Sequence, residues 1–236
     1  MSADDPAAGA DGEETPTWRE LAVARSLDPA RVRAEARVQR FLDAALELMA
    51  EDPDKEFTVQ EVVERSGQSL RSFYQYFAGK YELLLALFEE SVRSTAEVLR
   101  AAVDEEDGPE ARLHRFVIDY YELCRPTPKG KAAKRPSKQV PAPAMAEFAQ
   151  QLLTGHPKEA SRAYVPLVSL FEELLDDAAE AGLLREGIRH RRIAGVVLQA
   201  ISFTAFSLTI SGTPVRDDAD AAEEAWALIF TGISAS

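Results

Sequence analysis

FTVQEVVERSGQSLRSFYQYFAGKYELL, running from Phe57 to Leu84, decides the fold of the N-terminal part of the chain. Thr58 precedes an apolar-periodic run and Glu61 follows three residues later. That spacing is a capping box, in which each side chain satisfies a free backbone N–H of the other. Val59, Val62 and Val63 supply apolar contacts on the helix it opens. Ser66-Gly67-Gln68 reads as a turn, with Gly67 able to take the positive φ that ends a helix. Ser69 then caps a second helix from Leu70 to about Phe77. Phe73 and Phe77 lie four apart and face a core, while Leu70, Arg71, Tyr74, Gln75 and Tyr76 look outward or sideways. Two short helices, a glycine turn and an exposed set of tyrosines beside an arginine have the build of a helix-turn-helix. Such a unit inserts its second helix into a DNA major groove.

Outward from this stretch the chain reads as helical throughout. Residues 1–16 are small and acidic with two prolines and are expected to be a disordered tail. Thr17 to Arg25 reads as a short extra helix with Trp18 and Leu21 as docking residues. Asp28-Pro29 reads as the start of the next one, with Asp as N-cap and Pro at the first helical position. Its apolar stripe is Val38, Phe41, Leu42, Ala45, Leu48 and Met49, stopping before Pro53. Arg25, Arg31 and Arg33 on this extension have two readings, an arm that touches phosphates or the minor groove and a plain packing extension. After the second short helix, Lys80 to about Ala102 is a long helix, with Leu84, Phe88, Val92, Thr95, Leu99 and Ala102 on one stripe. A helix from Glu110 carries Leu113, Phe116, Val117, Tyr120 and Cys124 on one face. The proline- and lysine-rich stretch from Pro126 to Pro143 reads as a solvated loop or an auxiliary phosphate contact.

Further on, Ala144 to Leu153 is a short helix, and Pro166 is expected to kink or break the helix that ends at Ala181. Two unusually apolar helices close the chain, Arg189 to Ser211 and Asp217 to Ile229. They are rich in small residues, among them Gly195, Ala200, Ala222 and Ala225. A helix that is apolar nearly all round needs partners on every side. The same pair from a second subunit supplies them, in an intermolecular four-helix bundle.

The pattern Thr58…Gly67-x-Ser69-x3-Phe73-Tyr74-x-Tyr76-Phe77-x2-Lys80-x2-Leu83-Leu84 resembles the DNA-binding domain of the tetracycline-repressor (TetR) family of bacterial regulators. The likeness covers roughly Arg37 to Leu87; beyond that the chain resembles the family in length, helical content and order of parts. Three positions depart from the usual pattern: Tyr81 stands in place of an acid, Gln68 in place of a small apolar residue, and Val63 in place of alanine. The resemblance implies an all-α fold, with an N-terminal three-helix helix-turn-helix domain (residues 17–79) and a C-terminal helical ligand-binding and dimerisation domain (residues 80–236). It implies a homodimer on a palindromic operator in double-stranded DNA, with half-sites about one helical turn, roughly 34–36 Å, apart. By position in the motif, Leu70, Arg71, Tyr74 and Tyr76 are groove contacts, and Val59, Gln60, Ser69, Ser72 and Lys80 touch or adjoin phosphates. The Arg71 fork matches O6 and N7 of guanine. A small-molecule effector is expected between the Lys80 helix and those starting at Glu110, Ala144 and Leu167. The pocket candidates are Phe116, Tyr120, Met145, Phe148, Leu152, Phe171, Phe203 and Phe206, for each of which core packing is the competing reading.

Composition bears on the classes that compete with this reading. The chain carries 27 basic against 40 acidic residues, a net charge of −13. DNA binding depends on the local field, however, and acid is concentrated away from the motif, in Asp4 to Glu14, Asp104 to Asp107, Glu172 to Glu180 and Asp217 to Glu224. Cys124 is the single cysteine, so no intrachain disulfide or cysteine metal cluster can form. The first sixteen residues lack the basic-then-apolar order of a secretory signal, and cytoplasmic localisation is expected. Ile193 to Ile210 is borderline in length for a membrane span, and Gln199, Ser202, Thr204, Ser207 and Thr209 interrupt it; no membrane partner is expected. His114, His156 and His190 lie on separate elements, and no phosphate loop or nucleophile elbow occurs. Neither a metal, a cofactor nor an enzymatic activity is therefore expected. Two alternatives stay open, a helical ligand-binding or scaffold protein that has lost DNA binding and a small-molecule enzyme on a helical bundle.

Overall fold

The computed structural model describes residues 18–52, 55–125, 142–211 and 220–235. The acidic tail at 1–16, most of the basic stretch at 126–143 and the start of the last expected helix at 217–219 lie outside the described residues, as do the side chains of Trp18, Leu21, Arg25 and Phe206. The described residues form ten α-helices: α1 (Trp18–Glu51), α2 (Val59–Ser66), α3 (Leu70–Tyr76), α4 (Lys80–Asp104), α5 (Pro109–Cys124), α6 (Ala142–Gly155), α7 (Pro157–Ala163), α8 (Val165–Glu180), α9 (His190–Ser211) and α10 (Ala221–Ile233). By its internal contacts the chain divides into two compact units, Met1–Arg40 and Phe41–Ser236.

In the first unit the helix runs through Pro29 without the break expected at Asp28-Pro29. A proline inside a helix forfeits one backbone hydrogen bond and crowds the preceding turn, at about 3 kcal/mol. The alanines, arginines, leucine and glutamate on either side of it are strong helix formers and favour continuity. Arg31 and Glu35 form an exposed i,i+4 pair on this segment.

The second unit begins with the inner face of α1, where Phe41, Ala45 and Met49 are fully or almost fully buried. The α2–α3 corner closes on Phe41: its ring meets Phe73 edge-on at 5.4 Å and Phe77 at 6.2 Å. Long-range polar contacts reinforce the hydrophobic seat. Arg65, near the end of α2, grips Glu51 of α1 with both nitrogens at 2.8 Å and reaches Glu47 at 3.4 Å. A bidentate fork of this kind fixes orientation as well as distance.

The remaining helices form a layered helical body. α8 lies against α4, α5 and α9, α6 lies along α9, and α10 docks on α5. Burial on α4 falls on Leu83, Leu87, Phe88, Val92, Ala96, Leu99 and Val103. The expected stripe was right at Phe88, Val92 and Leu99 but out of phase at Leu84 and Ala102, which are only half-buried. A 25-residue helix touched by α5, α6, α7 and α8 has more than one neighbour to face, and a single sequence stripe does not separate them. Pro166 breaks the chain as expected, sitting in the first turn of α8 where its missing N–H has no helical partner to lose. The chain end is pinned by an antiparallel bridge between Leu184 and Ser234, with the Ala235 N–H donating to the Leu183 carbonyl at 2.8 Å. No helix among the described residues is long and apolar enough to cross a membrane.

Candidate functional site

The α2–α3 corner is built by its own caps. The Thr58 N–H donates to Glu61 Oε2 at 2.7 Å, and the Glu61 N–H donates to Thr58 Oγ1 at 3.2 Å, completing the capping box. Glu61 also accepts from Lys55 Nζ at 2.9 Å. The Lys55 ammonium and the two Thr58 donors hold its carboxyl far below the usual carboxylate range, at about 2. Gly67 ends α2 at φ 65°, ψ 24°, in the left-handed region, so that the chain reverses into α3 at little steric cost. Ser69 Oγ accepts from the Ser72 N–H at 3.1 Å and fixes the first turn of α3.

With α3 seated by Phe73 and Phe77, its opposite side is presented to solvent. Leu70 and Tyr74 are 43% and 57% exposed, large values for such residues. Arg71 and Gln75 are exposed beside them, and Tyr76 is half-buried. No ion pair holds Arg71 among the described residues, so its five donors are free for a partner. On the flanks, Gln60 and Ser69 are exposed, whereas Val59 and Ser72 are half-buried. Gln60 donates to Glu64 at 2.9 Å. Lys80 is engaged: its Nζ lies 3.1 Å from Glu56 and 4.9 Å above the Phe57 ring centroid. Glu56 is almost fully exposed, and an exposed pair of this kind is worth at most about 1 kcal/mol, so a phosphate can take its place. The nine residues expected at a DNA interface are thus gathered on one corner of the fold and its flank.

The eight expected effector residues are scattered differently. Phe116, Tyr120, Met145, Phe148, Leu152 and Phe171 are all buried. Phe116 stacks on Phe171 at 4.6 Å, and Phe148 packs against Tyr81 and Phe88, so these rings touch one another. Phe203 is 53% exposed, pointing away from that core. A cleft of about 280 Å³ opens elsewhere, between α6, α7, α8 and α9, and none of the seven whose side chains are described lines it. Leu153, Val165, Val168 and Leu198 form its apolar walls, and Tyr164, Arg191 and Gln199 add polar groups. Sequence reasoning does not single these residues out, because a cleft leaves no periodic signal: its liners come from four helices and carry ordinary side chains. Beneath it Ser202 is fully buried and donates to the Leu198 carbonyl at 2.8 Å. Burial raises the hydroxyls of Tyr120 and Tyr164 well above the ordinary tyrosine value, so both stay protonated donors.

Of the expected dimer residues, Ala200 is exposed, Gly195 and Ala225 are half-buried, and Ala222 is buried within its own chain. Around Ala200 lie exposed Val196 (59%) and Phe203, while α10 exposes Leu228 at 79%. His114 pairs with Glu223 at 3.0 Å. Among the described residues no three His, Cys, Asp or Glu side chains gather in a way that could hold a metal.

Residues 41–87 match the family described as bacterial regulatory proteins, tetR family. A comparison with curated protein sequences gives no match. Solved structures with the same fold include the transcriptional regulator FadR from Bacillus subtilis in complex with stearoyl-CoA, at 18% identity and a TM-score of 0.61, with 83% of this chain and 98% of that one covered. Thermus thermophilus FadR, a TetR-family transcriptional repressor in complex with lauroyl-CoA, aligns at 22% identity and a TM-score of 0.60, covering 83% of this chain and 94% of that one. The fatty acid degradation regulator FadR from Bacillus halodurans gives 18% and 0.60, covering 82% and 98%. The stretch that carries the helix-turn-helix therefore matches the tetR family of bacterial regulatory proteins over residues 41–87, and the chain shares the fold of these solved structures.

Proposed function

We propose that the protein is a homodimeric transcriptional regulator, a repressor that binds a palindromic operator through α3 and is released by a small, mostly apolar ligand. The observation that carries this reading is the two-sided build of α3. Phe73 and Phe77 lock one side into the fold, and Leu70, Arg71 and Tyr74 stand exposed on the other. An arginine and a tyrosine on a short, well-capped helix are suited to base edges in a major groove, where each good contact discriminates by about 1–3 kcal/mol. Lys80, Gln60 and Ser69 lie at the margins, in position for phosphates, which set register and orientation rather than sequence. The dimer is supported by the apolar exposure of Val196, Phe203 and Leu228 on the last two helices. A two-fold assembly explains why a single seven-residue reading helix suffices: two copies double the contacts and demand an inverted repeat.

The protein works where DNA is, in the cytoplasm, and acts by binding rather than by catalysis. Release needs a ligand that binds the non-DNA conformation better; a hundredfold preference corresponds to about 2.7 kcal/mol of coupling. The test is selection of bound duplexes from a random pool, followed by sedimentation of the selected complex. One dimer per duplex and an enriched inverted repeat are expected. Binding without any sequence enrichment, or one monomer per duplex, would overturn the reading.

A further inference from the structure

Building on the ligand-released reading above, we propose that the cleft between α6, α7, α8 and α9 takes an apolar chain bearing one anionic group, and that α7 relays its occupancy to α4 through Tyr81. The ligand class follows from the lining. Arg191 is the one charged residue among the cleft's liners, and the walls are otherwise apolar or neutral. Its pairing with Glu172 runs through a single nitrogen at 3.3 Å, which leaves the rest of the fork for a carboxylate or phosphate. Arg191, Gly195 and Gln199 stand at i, i+4 and i+8 on α9 and all line the cleft. The middle position is a hole: a Cβ added at Gly195 would meet nothing within 4 Å. A cation, an open space and an amide in one column suit an anionic head with a chain lying beside it.

The relay follows from the two faces of α7. Pro157, Ala160 and Ser161 line the cleft, with Tyr164 one turn further on. The other face belongs to α4. Glu159 accepts a hydrogen bond from the Tyr81 hydroxyl, the His156 ring lies 5.0 Å from the Tyr81 ring, and Arg162 binds Glu89 Oε1 at 3.0 Å. Tyr164, at the α7–α8 junction, meets Phe88 edge-on at 5.5 Å. Tyr81 is the second residue of α4, and only Phe77, Ala78 and Gly79 separate that helix from α3. Whatever shifts α7 therefore acts on the first turn of α4, and through it on the reading helix.

The experiment uses the full-length protein and three probes of one chain length: octanoate, octyl phosphate and 1-octanol. Calorimetric titration without DNA is expected to show at least one anion binding about tenfold or more tighter than the alcohol, the gain of a charge-assisted contact. Tighter octanoate assigns the head to a carboxylate, and tighter octyl phosphate assigns it to a phosphate. Arg191→Gln should erase the difference, and Gly195→Leu or Ser161→Leu should weaken all three probes. On an operator selected from random duplexes, the tighter anion should lower wild-type affinity by about tenfold. Tyr81→Phe should bind the anion like the wild type and lose most of that response. Equal binding of alcohol and anions overturns the ligand class. Unchanged binding in both leucine variants overturns the site, and a full response in Tyr81→Phe overturns the relay. Absence of any DNA binding in the ligand-free protein would instead overturn the regulator reading and the relay with it, while the calorimetry decides the cleft by itself.

Discussion

Phe73 and Tyr74 are neighbours on one seven-residue helix, and truncating each to alanine should produce opposite phenotypes. Phe73 is fully buried and meets Phe41 at 5.4 Å and Phe77 at 5.3 Å. Removing a ring from such a site costs about 3–5 kcal/mol, the lost transfer energy plus the cavity left behind. A native protein has about 5–15 kcal/mol in hand, so Phe73→Ala should unseat α3 and abolish binding to every DNA sequence alike. Tyr74 is 57% exposed, and among the described residues its ring meets Phe73 alone, at 5.5 Å. Its truncation should change stability by no more than about 0.5 kcal/mol. It should nevertheless weaken operator binding by about 1–3 kcal/mol and relax preference at the base pair it meets. Urea unfolding followed by circular dichroism gives the first quantity, and fluorescence anisotropy on selected and scrambled duplexes gives the second. A Phe73→Ala protein with a wild-type unfolding midpoint, or a Tyr74→Ala protein with unaltered operator affinity, would refute the two-sided reading of α3.

Four further outcomes are expected. Lys80→Ala should lower affinity for DNA of any sequence alike and flatten the salt dependence of binding by up to about one unit of log–log slope; an unchanged slope would place Lys80 away from phosphate. Glu61 has a folded-state value of about 2 against an ordinary 4.5, so its contribution is present above the unfolded value and is lost as pH falls through that interval; acid titration should cost the wild type more than Glu61→Gln between those limits, and parallel curves would deny the capping box its ionic part. Gly67→Ala should destabilise the corner by about 1–2 kcal/mol, the penalty of a left-handed Cβ, visible as a lower unfolding midpoint. Ala200→Arg should give a folded monomer by sedimentation, because Ala200 is exposed beside Val196 and Phe203 on the apolar side of α9; an intact dimer would move the interface elsewhere.

Local chemistry made the DNA-reading corner legible from sequence. The Thr58–Glu61 box, the Gly67 reversal, the Ser69 cap and the i,i+4 pair Phe73 and Phe77 each involve residues within a few positions of one another, and all are present in the structure. Pro166 was legible for the same reason. Pro29 was not, because a sequence start signal competes there with helix formers on both sides, and the helix continues. The bidentate clamp of Arg65 on Glu51 spans 14 residues and has no sequence signature. Clefts were the least legible feature. Phe116 and Phe171, for which pocket lining and core packing were competing readings, stack on each other in the core, whereas the cleft is bounded by Gly195, Ser161 and Arg191, which no periodicity singles out.

The central claim is that α3 of each subunit lies in a major groove, and dimethyl sulfate footprinting of a selected operator tests it most directly. The reagent marks guanine N7 in the major groove and adenine N3 in the minor groove, so the two grooves report separately. Protection of guanine N7 is predicted in two half-sites on one face of the duplex, about 34–36 Å or a multiple of that apart, and should be lost in the Arg71→Ala protein. Protection confined to adenine N3, or guanine protection that survives unchanged in Arg71→Ala, would contradict it.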